Sequence, residues 1–212
     1  LSMSIEDLKK KINKKTKVIM PTLYGGNPGN IDEIYKIAKK FNLRVVEDAA
    51  HALGSYKNSK LVGSFGDISC FSFDGIKNIT SGEGGCVVTN DSKIIKRIKD
   101  IRFLGIKKES EKRYNKKKQF EFDVSDQGWR NHMSDIMASI GIEQLKKISY
   151  FRKKRQILAK HYIKLLSNNK NIELLDVDFN KVCPHIFVIV SKKKFNRGKL
   201  KKWFFKNKIE VG

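Results

Sequence analysis

Residues 45–85 read VVEDAAHALGSYKNSKLVGSFGDISCFSFDGIKNITSGEGG, and two apolar runs in and around this stretch decide the fold. The first, residues 43–46, ends in Glu47 and Asp48. The second, residues 68–73, leads to Lys77 four residues on. In open α/β sheets ligands sit outside the carboxyl ends of strands, so an acid and a lysine at two such ends converge on one ligand. The SGEGG run at 81–85 adds a flexible turn where the backbone can approach closely.

Upstream, Ser4 caps a short basic helix with Asp7 three residues on, residues 17–21 (KVIMP) read as a buried strand, and GGNPGN at 25–30 marks the loop after it. Asn30 is placed to cap a helix running to about Phe41, with Glu33 at its acidic third position and Ile34, Ala38 and Phe41 on one face. Residues 43–47 form the next strand. Strand, helix and strand then make a right-handed crossover unit of a parallel sheet.

Downstream, residues 85–89 (GCVVT) give another strand, and Asp91 caps a helix whose Ile94, Ile95, Ile98 and Ile101 form a buried stripe. Residues 107–119 are polar and basic and read as a surface loop. From Ser134 a helical pattern runs beyond the usual globular length, with Ile136, Ile140, Leu145, Ile148, Leu158, Tyr162 and Leu165 expected inward. It keeps no strict heptad, so it reads as an inter-domain helix with room for a kink. Residues 185–190 (HIFVIV) read as a strand, and residues 196–208 as a helix burying Leu200, Trp203 and Phe204. With residues 209–211 they begin a smaller α+β domain. The expected division is a partial large domain over 1–150, then the rest of the helix and a truncated small domain over 151–212.

A chain of 212 residues buries one sizeable core and begins a second. Its 45 basic against 22 acidic residues give a net charge of +23, which on its face suggests nucleic acid or an anionic membrane. Only eight of the basic residues are arginine, however, and bidentate recognition of phosphate and bases favours arginine. Lysines scattered over every segment fit solvated helix faces better, so a nucleic-acid partner is not expected. Cys70, Cys86 and Cys183 are odd in number, far apart and each within an apolar run. They offer neither a disulfide framework nor a metal-ligand pair, and read as buried thiols in a reducing cytosol. No apolar run reaches membrane-spanning length, and LSMSIEDLKKKINKK at 1–15 lacks the apolar core of a signal peptide. A soluble cytoplasmic protein without a membrane partner is expected.

EDAAHALGS (47–55) and GSFGDISCFSFDGIKNITSGEGG (63–85) resemble the signature of the DegT/DnrJ/StrS family of nucleotide-sugar aminotransferases, pyridoxal 5'-phosphate enzymes of fold type I. Acid, histidine, serine and lysine stand in the family's order and spacing with its glycines between. The likeness runs from VIMPTLYGGNPGNIDEI (18–34) to near Ile186. It implies an α/β fold with a partial large domain on a mixed, mostly parallel sheet, a long inter-domain helix and the start of a small α+β domain. It also implies an internal piece of a longer chain, because family members have more sequence on both sides, including a Gly-Ser/Thr-rich turn that contacts the cofactor phosphate.

Each site residue has a plainer reading beside the one the resemblance implies. Lys77, by itself an exposed loop charge, matches the lysine that carries the cofactor; lysine suits that role because burial or a cationic neighbour depresses its pKa. Asp48, which the residues alone read equally well as the N-cap of a short helix starting at Ala49, matches the acid that keeps the pyridine nitrogen protonated. His51, otherwise a packed histidine in an alanine-rich stretch, matches a position beside the cofactor ring and its 3'-oxygen. Ser72, otherwise a small residue beside Cys70 in the sheet, matches a donor to the phosphate. GWRNHMSD at 128–135 resembles the segment that reaches the neighbouring subunit's phosphate, which places Arg130 and His132 there. Its plainer reading is a basic loop leading into the Ser134 helix.

The expected function is transamination of a keto group on a nucleotide-linked sugar by a homodimer, with glutamate as amino donor and no metal, for cell-surface polysaccharide or secondary-metabolite sugars. A related dehydratase class has histidine in place of the lysine, and Lys77 argues against it. The alternatives are an inactive or scaffold piece of such an enzyme, or a basic RNA- or membrane-binding module.

Overall fold

The computed structural model describes residues 1–106, 124, 126–194 and 196–211. Helix α1 (Ile5–Lys11) begins where Ser4 Oγ accepts the Asp7 N–H at 3.2 Å, as its sequence predicts. Strand β1 is short (Val18–Ile19), with only Ile19 buried, so residues 17–21 form a smaller strand than expected. Helix α2 (Ile31–Lys40) turns Ile31, Ile34, Ile37 and Ala38 to the core. Asn30 precedes it without a side-chain capping bond, and Phe41, one residue past its end, lies exposed, so two details of that expectation fail.

Strand β2 (Arg44–Asp48) runs parallel to β1, in register Val18 to Arg44 and Ile19 to Val45, which completes the crossover unit. A hairpin of β3 (Tyr56–Lys57) and β4 (Lys60–Leu61) follows, turning through Asn58 and Ser59 at positive φ. Strand β5 (Ile68–Ser72) pairs parallel with β2, and β6 (Gly85–Thr89) pairs antiparallel with β5. The sheet order is β1-β2-β5-β6, mixed and mostly parallel. Arg44 pins the entry of β2: its guanidinium meets Asp67, just before β5, and Asp91 beyond β6, while Asp67 Oδ2 also accepts the Val45 N–H at 2.6 Å.

Side chains alternate across β2 and β5, and the two faces differ. Val45, Glu47, Ser69 and Phe71 are buried; Val45 packs with Ile34, Ile37 and Ala38 of α2. Val46, Asp48, Cys70 and Ser72, on the other face, are only half buried. The buried face carries one carboxylate, Glu47, which accepts hydrogen bonds from Tyr35 Oη (2.8 Å) and Ser69 Oγ (2.6 Å). Burial raises its pKa.

Helix α3 (Ser92–Ile101) is capped by Asp91, whose Oδ1 accepts from Lys93 and Ile94. Its isoleucine stripe is half exposed rather than buried, Ile95 most of all. The loop expected at 107–119 lies outside the described residues. The long helical pattern is two helices, α4 (Asp135–Lys146), capped by Ser134, and α5 (Ile148–Leu166), parted at Lys147.

Of the inward positions expected on α4 and α5, Ile148 is half buried, whereas Ile136, Ile140, Leu145, Leu158 and Leu165 are exposed. Tyr162 stacks on Phe187 at 4.9 Å yet also stays exposed. Instead α5 turns Arg152, Arg155, Gln156 and Ala159 inward, a spacing that fits one helix face. Gln156 Nε2 donates to Asn180 O and Val182 O (3.1 and 3.0 Å), and Arg155 Nη1 to Pro184 O and His185 O (3.3 and 3.1 Å). Helix α5 therefore docks through donors to carbonyls as well as through Ala159 and the half-buried Ile148, Ile163 and Leu166.

Past α5 an antiparallel pair forms from β7 (Ile172–Leu174), which the sequence reading missed, and β8 (Ile189–Ser191). Of residues 185–190 only the last two are strand, because Arg155 and Gly25 hold the backbone around His185 in a turn. Helix α6 (Arg197–Lys206), capped by Asn196, leaves Leu200 and Trp203 exposed, and Ile209 and Val211 follow it without forming a strand. The cysteines also divide. Cys183 is buried and its thiol is pushed up to about 11, Cys70 is half buried, and Cys86, on the edge strand, is exposed.

Candidate active site

Strand β2 stays paired as far as Asp48, whose N–H donates to Pro21 O and whose carbonyl accepts from Leu23, each at 2.9 Å, in a parallel bridge to Thr22. No helix follows. The chain makes single turns through Ala49 and Ala52, and Asp48 Oδ1 accepts one N–H, that of Ala50 at 3.2 Å. The helix-cap reading of Asp48 is thereby set aside, and among the described residues Oδ2 meets only Thr22 Oγ1, which donates to it at 3.5 Å. Register sets Asp48 beside Cys70, two residues before Ser72 on the same face of the sheet.

At the end of β5, Ser72 Oγ accepts the Asp74 N–H at 3.4 Å, which leaves the hydroxyl hydrogen free to donate. Asp74 organises the turn that follows: Oδ1 accepts from Ile76 (3.1 Å) and its carbonyl from Lys77 (3.0 Å). Lys77 is half buried, and among the described residues it has no carboxylate partner. Asn78, next in the chain, is buried, and its amide faces the carbonyls of His51, Leu53 and Cys183. It ties the lysine turn to the histidine turn, and its Oδ1 is buried without a partner among the described residues.

His51 Nδ1 accepts the Gly25 N–H at 3.3 Å. The His51 ring lies against Tyr24 at 5.6 Å and against His185 at 4.3 Å. Burial lowers its pKa first and the Lys77 charge second, while Asp48 opposes them. The charges of Lys77 and Asp48 are thus both felt at the His51 ring. The backbone under His51 is close-packed: Gly26, at φ +94°, has its missing Cβ where Cys183 O sits.

Arg130 and His132 are held elsewhere. Arg130 pairs with Phe103 in an antiparallel bridge, Trp129 N donates to Ile101 O and Asn131 N to Arg102 O, and the His132 ring meets the edge of Phe103 at 5.4 Å. Both are exposed, and among the described residues neither bonds to Asp48, His51, Ser72 or Lys77. Later in the segment, the Cε of Met133 occupies the space beside Gly84.

Sequence reasoning missed His185 and Asn78. Asn78 carried one signal, its place directly after the lysine in a turn that must be held. His185 carried none, being one histidine ahead of an apolar run.

A model of the DegT/DnrJ/EryC1/StrS aminotransferase family matches residues 1–212. The chain belongs to that family. It is 37% identical over 168 residues to a UDP-4-amino-4,6-dideoxy-N-acetyl-beta-L-altrosamine transaminase of Campylobacter jejuni, covering 79% of this chain and 43% of the relative. Among solved structures it is similar to Helicobacter pylori PseC, an aminotransferase involved in the biosynthesis of pseudoaminic acid: TM-score 0.84, 32% identity, 97% of this chain and 54% of that one. It is also similar to an E. coli GDP-4-keto-6-deoxy-D-mannose-3-dehydratase with bound hydrated PLP: TM-score 0.85, 27% identity, 99% and 56%. The fold is thus that of the fold-type-I sugar aminotransferases. The chain spans about half the length of these relatives. Among the described residues no helix is long and apolar enough to cross a membrane.

Proposed function

We propose that the protein is a pyridoxal 5'-phosphate-dependent transaminase that passes the amine of glutamate to a keto group on a nucleotide-linked sugar, for cell-surface polysaccharide or secondary-metabolite sugars. One observation carries the reading: Asp48 and Ser72 share a face at the carboxyl ends of β2 and β5, and Asn78 ties the Lys77 turn beyond β5 to the His51 turn beyond β2, in a chain of this family.

The residues fit the cofactor chemically. A half-buried amine without a carboxylate partner among the described residues is a suitable attachment point. A carboxylate carrying one backbone hydrogen bond has lone pairs left for a protonated ring nitrogen. A serine whose hydroxyl hydrogen is uncommitted can give it to a phosphate. When bound, the cofactor supplies an electron sink for the bond broken at the substrate carbon.

In this reading Lys77 would hold the cofactor through Nζ and would move a proton at the donor's Cα. Asp48 keeps the ring nitrogen protonated, His51 lies beside the ring, and Ser72 donates to the phosphate. Arg130 and His132, exposed on their own chain, serve the phosphate of the partner in a homodimer. The enzyme acts in the cytoplasm. The large domain ends near residue 150, where α5 begins.

Similarity to a dehydratase supports a second reading, against which Lys77 stands, since that class has a histidine at this position. Adding glutamate to the complete, cofactor-loaded protein is expected to release 2-oxoglutarate in proportion to the loaded sites. No keto acid from glutamate or any other amino donor would contradict transamination and return the chain to a scaffold role.

A further inference from the structure

His185 enters the site from the far end of the chain, and its ring packs on that of His51 with centroids 4.3 Å apart and planes at 42°. Its turn is fixed from two sides. Arg155 on α5 donates to the carbonyls of Pro184 and His185, and the His185 N–H donates to Gly25 O at 3.2 Å. Gly25 thus holds both histidines, one through its carbonyl and the other through its N–H.

The Gly25 N–H donates to His51 Nδ1, so that nitrogen carries a lone pair and the ring proton sits on Nε2. Protonating His51 a second time would set one N–H against another. A charge on His185 at this separation would repel a charge on His51 as well. We propose that His185 is a positioning residue for His51, its packed ring fixing the plane of the imidazole and, with Gly25, keeping it in the neutral Nε2–H form that offers one donor to a ligand.

The groups around the pair act mainly in the same sense. Lys77, on the turn after β5, lowers the proton affinity of both rings, and Arg155 lowers that of His185. Asp48 at the end of β2 and Asp74 in the lysine turn oppose them more weakly, and Tyr24 presents a ring to His51. Burial first, then His51, brings His185 down to about 4, so it stands neutral beside His51 at neutral pH. Its Nδ1, buried without a partner among the described residues, would make a charge there costlier still.

The inference rests on the proposed function only for the ligand that receives the Nε2 proton; ring plane and tautomer belong to the chain itself. The test is imidazole-detected nitrogen NMR of the cofactor-free protein, which has four histidines to assign. Wild-type His51 is expected in the Nε2–H form between about pH 6 and 8. His185→Ala should mix the tautomers and raise the proton affinity of His51 about tenfold, by roughly one pKa unit. His185→Phe, which restores a packed ring without a titrating group, should return both to wild type.

An Nδ1–H tautomer or an imidazolium at His51 in the wild type overturns the proposal whether or not any variant folds. So does a His51 unchanged by His185→Ala, and failure of phenylalanine to rescue contradicts the ring-packing argument. A protein that gives the expected spectra yet takes up no pyridoxal 5'-phosphate would refute the proposed function and leave this inference standing.

Discussion

On β2 and β5, one face is closed and the other half open: Val45 and Phe71 are buried with Glu47, which Tyr35 and Ser69 satisfy, and the half-open face presents Val46, Asp48, Cys70 and Ser72. On α5 long polar side chains take much of the inner face. Arg152, Arg155 and Gln156 face the protein, while Leu158 and Leu165 point away, 54% and 64% exposed. The two regions are held by different forces. Strand alternation puts apolar side chains against α2, where area removed from water stabilises them. The inner face of α5 meets a turn, residues 180–185, whose carbonyls need donors, so arginine and glutamine are the residues that fit. Buried polar groups are thus matched in both regions, by side-chain hydroxyls at Glu47 and by backbone carbonyls at α5.

The sheet half of this contrast is sharpened most by Asp48→Asn. The change keeps the hydrogen bond to Ala50 but removes the charge, so thermal stability should hold while turnover of the complete enzyme falls by about 10²–10⁴-fold. Unchanged turnover would make Asp48 a turn residue only. Next, Ile34→Ala, in the core between α2 and β2, should cost about 2–5 kcal/mol in denaturant unfolding. Ile136→Ala, on α4 and 76% exposed, should change stability by no more than about 0.5 kcal/mol in this chain. Equal losses would erase the distinction between the regions.

The helix half is tested by Arg155→Ala, which leaves the Pro184 and His185 carbonyls without their donor and should cost about 1.5–3 kcal/mol, against little for Leu158→Ala. A larger loss from Leu158 would restore the apolar docking face that the sequence suggests. The smallest effect concerns Glu47. Burial raises its folded pKa, so the folded state binds this proton more tightly than the unfolded chain does. The stabilising contribution is present below the ordinary carboxylate range and is lost as pH rises through the folded value. Glu47→Gln should therefore gain on the wild type in thermal melts as pH increases across that window; a constant difference would mean that Glu47 ionises in the fold as it does in water.

What could be read from the sequence follows the same division. Asp48 and Lys77 lie at or beyond strand ends, where the spacing between apolar runs points to them, whereas His51 and Ser72 stand out through the family resemblance; in the fold Asn78 ties the lysine turn to the histidine turn. Helix starts were legible wherever a short polar side chain closes the first turn, as at Ser4, Asp91, Ser134 and Asn196. The face of α5 was not, because apolar periodicity assumes that the inward side is the greasy one. His185 was hidden for a related reason: its place is set by Arg155 and Gly25, remote in sequence, and not by its own neighbours. Arg130 and His132 were found by resemblance, and nothing in their own chain's site engages them among the described residues.

The central claim is that the lysine turn after β5 and the acid at the end of β2 form one cofactor site. Its most direct test is to load the complete protein with pyridoxal 5'-phosphate, reduce it with borohydride and map the modified peptide by mass spectrometry. The account predicts a pyridoxyl group on Lys77 alone, lost in Lys77→Ala. A label on another lysine, or none in a folded and loaded protein, would contradict it.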